Sequence, residues 1–326
     1  MPPSVDSPHL IYRRDYFGAP IRNHADTEWM RERQLEALYR IRFDERRNTD
    51  HALLDLYEEL AAGRDTDERA WLIIVAQPRI PVAGRQLDLA KAQAVVRDTE
   101  PRALDWVGTS AGVHPLEAVD RLNPRRGLRR WVLVNDAGGT RSWYEAWMAV
   151  HDSGAVNLAH AIGGQRIVGP EMTTLPGNRM RSRHIECAVS DCMALLREAT
   201  KALGVANEYD LALGIEWTGD EPLIIETVDG EGSRFDGTSI ALARYAKVRL
   251  SVRLDVDDEG FLAQASALTQ DTVNHGGVQN VQAISGHQIR WARAGEFQQA
   301  LARGSGRRVA RGAVWPRYVY VTNCGW

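Results

Sequence analysis

Lysine is almost missing from this chain: Lys91, Lys201 and Lys247 are the three in 326 residues. Nearly all positive charge is therefore arginine, whose planar guanidinium can hold phosphate or carboxylate through two parallel hydrogen bonds. GC-rich codon usage accounts for the same bias without any ligand. Cysteine is as scarce. Three cysteines are too few for a disulfide framework and leave one over, and the spacing of Cys187 and Cys192 does not suit zinc. The expected setting is reducing and cytoplasmic. No uninterrupted apolar stretch approaches ~18 residues, so no membrane span is expected. The opening Met1-Pro2-Pro3-Ser4-Val5-Asp6 lacks the basic patch and apolar run of a secretory signal. The nine histidines form no His-Glu-x-x-His run and no cluster with cysteine, so no metal centre is expected. No phosphate-cradling glycine loop opens a helix, so no cofactor is expected either.

What is present is an ordinary globular composition, 44% hydrophobic and 25% charged, enough for a folded core in a chain of two or three domains. The net charge of −3 hides an uneven distribution. Residues 121–183 hold ten arginines against four acids, 206–275 hold fourteen acids against five bases, and 285–326 hold seven arginines against one acid. Such asymmetry steers an anionic partner, or lets two parts of one chain dock on each other.

Hydrophobic periodicity gives the elements. Residues 9–14 read as a strand with no earlier strand to pair with, which implies that the domain it belongs to begins upstream. Helices are expected over 26–48, capped by Asp26 or Thr27, and over 49–62, closed by Gly63. The run 70–76 is a continuous apolar stretch bounded by polar residues and Pro78, the pattern of a buried strand. A helix over 86–100 leads into a loop-rich stretch to 128. Strands follow at 130–135, 142–151 and 155–162, the last two joined around Gly154. A long helix is expected at 182–203, with Ile185, Val189, Cys192, Leu196 and Ala199 on its buried face and Gly204 closing it. Strands at 210–217 and 222–228 read as a hairpin, followed by a strand at 246–256, a helix at 258–275 and a strand-like tail at 313–322. Short connections make the sheets mainly antiparallel and the class α+β, with packed helices in two similar strand-strand-strand-helix layers. The expected division is 1–66, 67–205 and 206–326.

Several runs invite a chemical reading. Gly108, Ser110 and Gly112 match the nucleophile elbow of a hydrolase, with Asp236 and His275 in the right order, but Pro115 falls where the elbow's helix should run. Asp255, Asp257, Glu259 and Gly260 open like a calcium loop that lacks its closing glutamate. Glu216, Glu226, Asp229, Glu231 and Asp236 cluster around one expected hairpin. On an even register Glu216 and Glu226 share a face, where they could hold Mg²⁺ for phosphodiester cleavage or form an ordinary solvated surface. Trp143 and Trp147 alternate with polar residues and read as core or as base-stacking platforms. The strongest candidates are arginines. Arg125, Arg126, Arg129 and Arg130 form one set; Arg179, Arg181 and Arg183 precede a helix N-terminus, where backbone donors add to the positive potential for a phosphate. The alternative is that they pair with the acidic 206–275 segment. Arg303, Arg307 and Arg308 make the tail basic as well.

The stretch Tyr12-Arg13-Arg14, then Thr27-Glu28-Trp29-Met30 and the helix at 34–43, resembles the closing segment of a Schlafen-type AlbA domain. Asn123-Pro124-Arg125-Arg126-Gly127-Leu128-Arg129-Arg130-Trp131, Ile185-Glu186-Cys187-Ala188 and Tyr209-Asp210-Leu211-Ala212-Leu213-Gly214-Ile215-Glu216-Trp217 resemble the long region that follows this domain in some actinobacterial proteins. The likeness covers most of residues 8–280. It implies a nucleic-acid- or ATP-binding regulator, with DNA the expected nucleic acid, and some relatives of that kind cut RNA or serve in defence systems. The bulk of the AlbA domain, with its acidic and Gly-Gly-rich portions, has no counterpart in this sequence, so the resemblance supplies no catalytic residue. The expectation is a non-catalytic regulatory or partner-binding portion of such a protein, acting near nucleic acid or nucleotide. The competing expectations are a hydrolase through Ser110 or the Glu216 and Glu226 pair, and a ligand-free scaffold.

Overall fold

The computed structural model describes residues 18–23, 26–80, 82, 86–107, 113–135, 145–167, 173–204, 208–228, 234–235, 239–279, 281 and 284. Its class is α+β. In chain order come β1 (Gly18–Asn23), β2 (Asp26–Arg31), α1 (Glu32–Ala62), β3 (Trp71–Pro78), α2 (Leu89–Val107), the single turn α3 (Pro115–Ala118), β4 (Arg125–Gly127) and β5 (Arg130–Val134). Then follow β6 (Ala146–His151), β7 (Val156–Ala161), β8 (Arg166–Ile167), β9 (Thr173–Thr174), β10 (Arg179–Arg181), α4 (Ser182–Leu203), β11 (Glu208–Glu216), β12 (Ile224–Val228), β13 (Arg234–Phe235), β14 (Val248–Arg253) and α5 (Asp258–Asn274).

The continuous apolar run of β3 is explained by burial on both faces. Leu72, Ile74 and Ala76 face one core with α2, α4 and α5, while Trp71, Ile73 and Val75 face a second with Leu53, Tyr57 and Leu60 of α1. Successive strand residues point to opposite sides, so a strand roofed on both sides must be apolar throughout. β3 lies in the middle of a seven-stranded antiparallel sheet of order β14-β11-β3-β7-β6-β5-β4. α4 is the central helix of the larger core and is buried almost along its whole length. Gly204 caps it in the left-handed conformation (φ 60°), its N–H donating to the carbonyls of Thr200 and Lys201, the role expected of a C-terminal glycine.

Several expectations are corrected. Residues 26–31 are not the start of a helix but the second strand of a hairpin, in register from Asn23↔Asp26 to Gly18↔Arg31. α1 then runs unbroken through the break expected at 49–50, because Thr49 and Asp50 carry neither the glycine nor the proline that stops a helix. α2 continues through Pro101 to Val107. Buried Ala103 packs in the main core, and its carbonyl accepts from Ser190 of α4 at 3.1 Å. The two expected layers are one sheet: β11 pairs with β3 along its length and carries β14 on its other edge. The division at 205/206 therefore falls between hydrogen-bonded strands of a single sheet. The hairpin expected at 210–217 and 222–228 does not form either. β12 leaves the large sheet and joins β10 in parallel and β13 antiparallel. The strands expected at 9–14 and 313–322 lie outside the described residues. Among the described residues no helix is long and apolar enough to cross a membrane.

Candidate nucleic-acid interface

The sequence run 125–130 folds as the β4–β5 hairpin at one edge of the large sheet, in register Arg125↔Val132, Arg126↔Trp131 and Gly127↔Arg130. Its turn is Leu128 and Arg129, and Arg129 adopts a positive φ of 54°. Two of its four arginines hold the hairpin in place. Arg126 forms a bidentate pair with Asp152, at 3.0 and 2.6 Å, and its guanidinium lies 5.3 Å from the Trp131 ring. The hydrogen bonds to Asp152 raise the Arg126 pKa above its ordinary value. Arg130 reaches across to Glu59 of α1 at 2.9 Å, and the Asp152 N–H donates to the Arg129 carbonyl at 2.9 Å. Arg125 and Arg129 are exposed. Between them Leu128 is 88% exposed, the most exposed large apolar side chain among the described residues. The loop before β4 is fixed as well: the Asp120 carboxylate accepts from the N–H groups of Leu122 and Asn123 and from the Asn123 amide.

The second arginine set is placed differently. Arg179 and Arg181 lie in β10, in the small three-stranded sheet, and not beside the hairpin in the large one. Arg179 donates to the fully buried Glu226 of β12 at 2.7 Å. Arg181 and Arg183 are half-buried beside His184. Burial, and after it these two cations, lower the His184 pKa to about 3. Ser182, the first residue of α4, is buried. The phosphate cradle expected at this helix start is thus in part an internal ion pair with the acidic segment.

The carboxylate pair is also taken apart. Glu216 ends β11 and accepts from the Tyr57 hydroxyl at 2.6 Å, while Glu226 belongs to β12 and Arg179. Burial first, then Glu216, pushes the Tyr57 hydroxyl up. The calcium-like run is committed to other tasks. Asp257 caps α5 by accepting from the Gly260 N–H at 2.8 Å, Asp255 pairs with Arg253, and Asp258 pairs with Arg102 and Arg197. Among the described residues no group of three or more His, Cys, Asp and Glu side chains could hold a metal ion. His275 packs on Tyr245, ring centroids 4.8 Å apart. Ser110, Trp143, Asp229, Glu231, Asp236 and the basic tail lie outside the described residues. Trp147 packs against the α1-side core, with Arg64 over its ring at 4.8 Å.

One constellation escapes a sequence reading altogether. His114 Nδ1 lies 2.7 Å from Asp191 of α4, whose other oxygen accepts from the Leu116 N–H at 2.9 Å. The Cys187 thiol, one helical turn before Asp191, is hydrogen-bonded to the same imidazole. A narrow crevice of about 10 Å³ adjoins, lined by His114, Asp191, Glu100 and Glu117 among others. Burial alone would lower the His114 pKa, but Asp191 and then Cys187 outweigh it and push it up to about 12. The order thiol, imidazole, carboxylate is that of a nucleophilic triad. Its thiol, however, is fully buried under Val113, Leu262, Val281 and Ile284, and burial raises its pKa. A neutral, covered thiol is unreactive, so the group acts as a polar tie between α4 and the turn at α3. Compared with protein-family models, with curated proteins and with solved structures, the chain matches none.

Proposed function

We propose that the chain is the non-catalytic, partner-binding portion of a Schlafen/AlbA-type protein and engages nucleic acid through the β4–β5 hairpin. The observation that carries this reading is the division of labour among four neighbouring arginines. Arg126 and Arg130 are engaged by Asp152 and Glu59 of the same chain, while Arg125 and Arg129 stand exposed on the same strand-paired hairpin. A rigid, cationic projection loses little conformational entropy when a phosphate backbone docks on it. The catalytic alternatives receive less support: Glu216 and Glu226 sit in different sheets, and Cys187 is covered.

The test is fluorescence anisotropy of the full chain with labelled duplex DNA and RNA across a salt series. Affinity should fall steeply with salt, by a log–log slope of about 0.9 per phosphate neutralised. Replacing Arg125 and Arg129 together by alanine should weaken binding and reduce that slope by roughly 2. Absence of binding at low salt, or binding indifferent to both arginines, would leave the scaffold reading in its place.

A further inference from the structure

Resting on that reading, we infer that Leu128 is a wedge: the hairpin enters the minor groove of a nucleic-acid duplex and inserts this side chain between base steps. Three observations converge on the tip. Leu128 is 88% exposed, on a hairpin anchored by strand pairing and by the Asp152 N–H on the Arg129 carbonyl, so its exposure is a fixed feature and not the reach of a loose loop. Arg129, beside it, holds a left-handed backbone that glycine or asparagine adopts far more cheaply. Such strain concentrates where a site must be pre-shaped. Finally, the order along the hairpin is cation, apolar tip, cation: Arg125, Leu128, Arg129. Minor-groove proteins pair these two functions, with arginine held by the narrow, negative groove and an apolar side chain partly unstacking a base step.

The competing occupant of a cationic hairpin with an apolar tip is an anionic membrane. A single fatty-acyl chain anchors only marginally, and one leucine buries far less apolar surface than such a chain. A base step, by contrast, has room for one side chain. The observations therefore favour the duplex.

The experiment uses the full chain and a short A·T-rich DNA duplex carrying 2-aminopurine at its centre and a fluorophore at each end. Binding should raise the 2-aminopurine signal and shorten the end-to-end distance. Leu128→Ala, at an exposed position, should keep the fold by circular dichroism and keep salt-dependent binding, yet lose both signals. Binding by the unaltered chain without unstacking or bending would overturn the wedge while leaving the function proposed above intact. Signals that persist in Leu128→Ala would overturn it equally. No binding to any duplex would overturn both readings. Leu128-dependent capture of phosphatidylserine vesicles, with no duplex binding, would replace the duplex by a lipid surface.

Discussion

At the scale of single residues, three buried histidines and the half-buried His151 set the response to pH, and they are of two kinds. His184 is lowered to about 3, by burial and then Arg181 and Arg183. His151 is lowered to about 4, by burial and then Arg130. His160 is lowered well below 6.5, by burial and then His184, whose ring centroid is 6.4 Å away. Below pH 6.5 the unfolded chain protonates these three and the folded chain does not, so stability drops as pH falls from 6.5 towards those values. His114 has the opposite sign. Its folded pKa of about 12 stands above 6.5, so its contribution is full below 6.5 and is lost as pH rises from there. Stability should therefore peak near pH 6.5, with the acid limb steeper, each histidine contributing about 1.4 kcal/mol per pH unit while it titrates. Urea unfolding across that range measures it. His114→Asn should flatten the alkaline limb, and a limb unchanged in that variant would contradict the ion pair. Removing the partner instead, by Asp191→Ala, should cost about 3–5 kcal/mol, since it strands a buried cation. None of this is legible in the sequence. His114 and Asp191 are 77 residues apart, and no local pattern joins them; the charge imbalance pointed Arg179 to the acidic 206–275 segment but not to Glu226 in particular. The exposed arginines of 125–130 were legible because charge on a short hairpin needs no distant partner to be noticed.

At the scale of elements, local rules succeed where packing agrees with them. The span 182–203 is found residue for residue, because its apolar stripe and closing glycine point the same way. The strand at 70–76 is found because burial on both faces writes itself as an unbroken apolar run. α2 is misjudged at its end for an instructive reason. Pro101 removes a helical N–H and crowds the carbonyl four residues earlier, yet the helix continues, since stopping there would withdraw Ala103 from the core and from Ser190. The proline is thus a local cost tolerated for tertiary contact. Pro101→Ala should stabilise the protein, by an amount bounded by the ~3 kcal/mol penalty of proline in a helix interior, read as a higher urea midpoint. A lower midpoint would mean that the proline shapes the helix usefully. The carboxylate hairpin fails at this scale too, because strand pairing is decided by what lies alongside, and β11 found β3 and β14 there.

At the scale of the whole molecule, β11 is the keystone. It arrives late in sequence, inserts between β3 and β14, and lies across from Tyr57 of α1 through Glu216. Arg79, just after β3, ties the same three strands together through Glu208, Asp210 and Ser251. A chain cut at residue 205 would leave an edge of β3 unpaired and strip β11, β14 and α5 from the larger core. It is expected to fail to fold, seen as lost near-ultraviolet dichroism, whereas an independently folding 67–205 unit would give a sharp melting transition. The order of strands in that sheet could not be read from the sequence, because only β4, β5, β6 and β7 are consecutive hairpin neighbours, and no local pattern places β3 between β7 and β11 or β14 beyond β11. Both outer strands of the sheet carry guanidinium groups. β14 presents Arg249 and Arg253 from exposed positions, and β4, only three residues long, presents Arg125 and Arg126. Edge-to-edge pairing of one molecule's sheet with another's would bring these margins within a strand spacing of about 4.8 Å. Exposed charge at a sheet margin opposes the edge-to-edge pairing by which a long, apolar sheet templates aggregation.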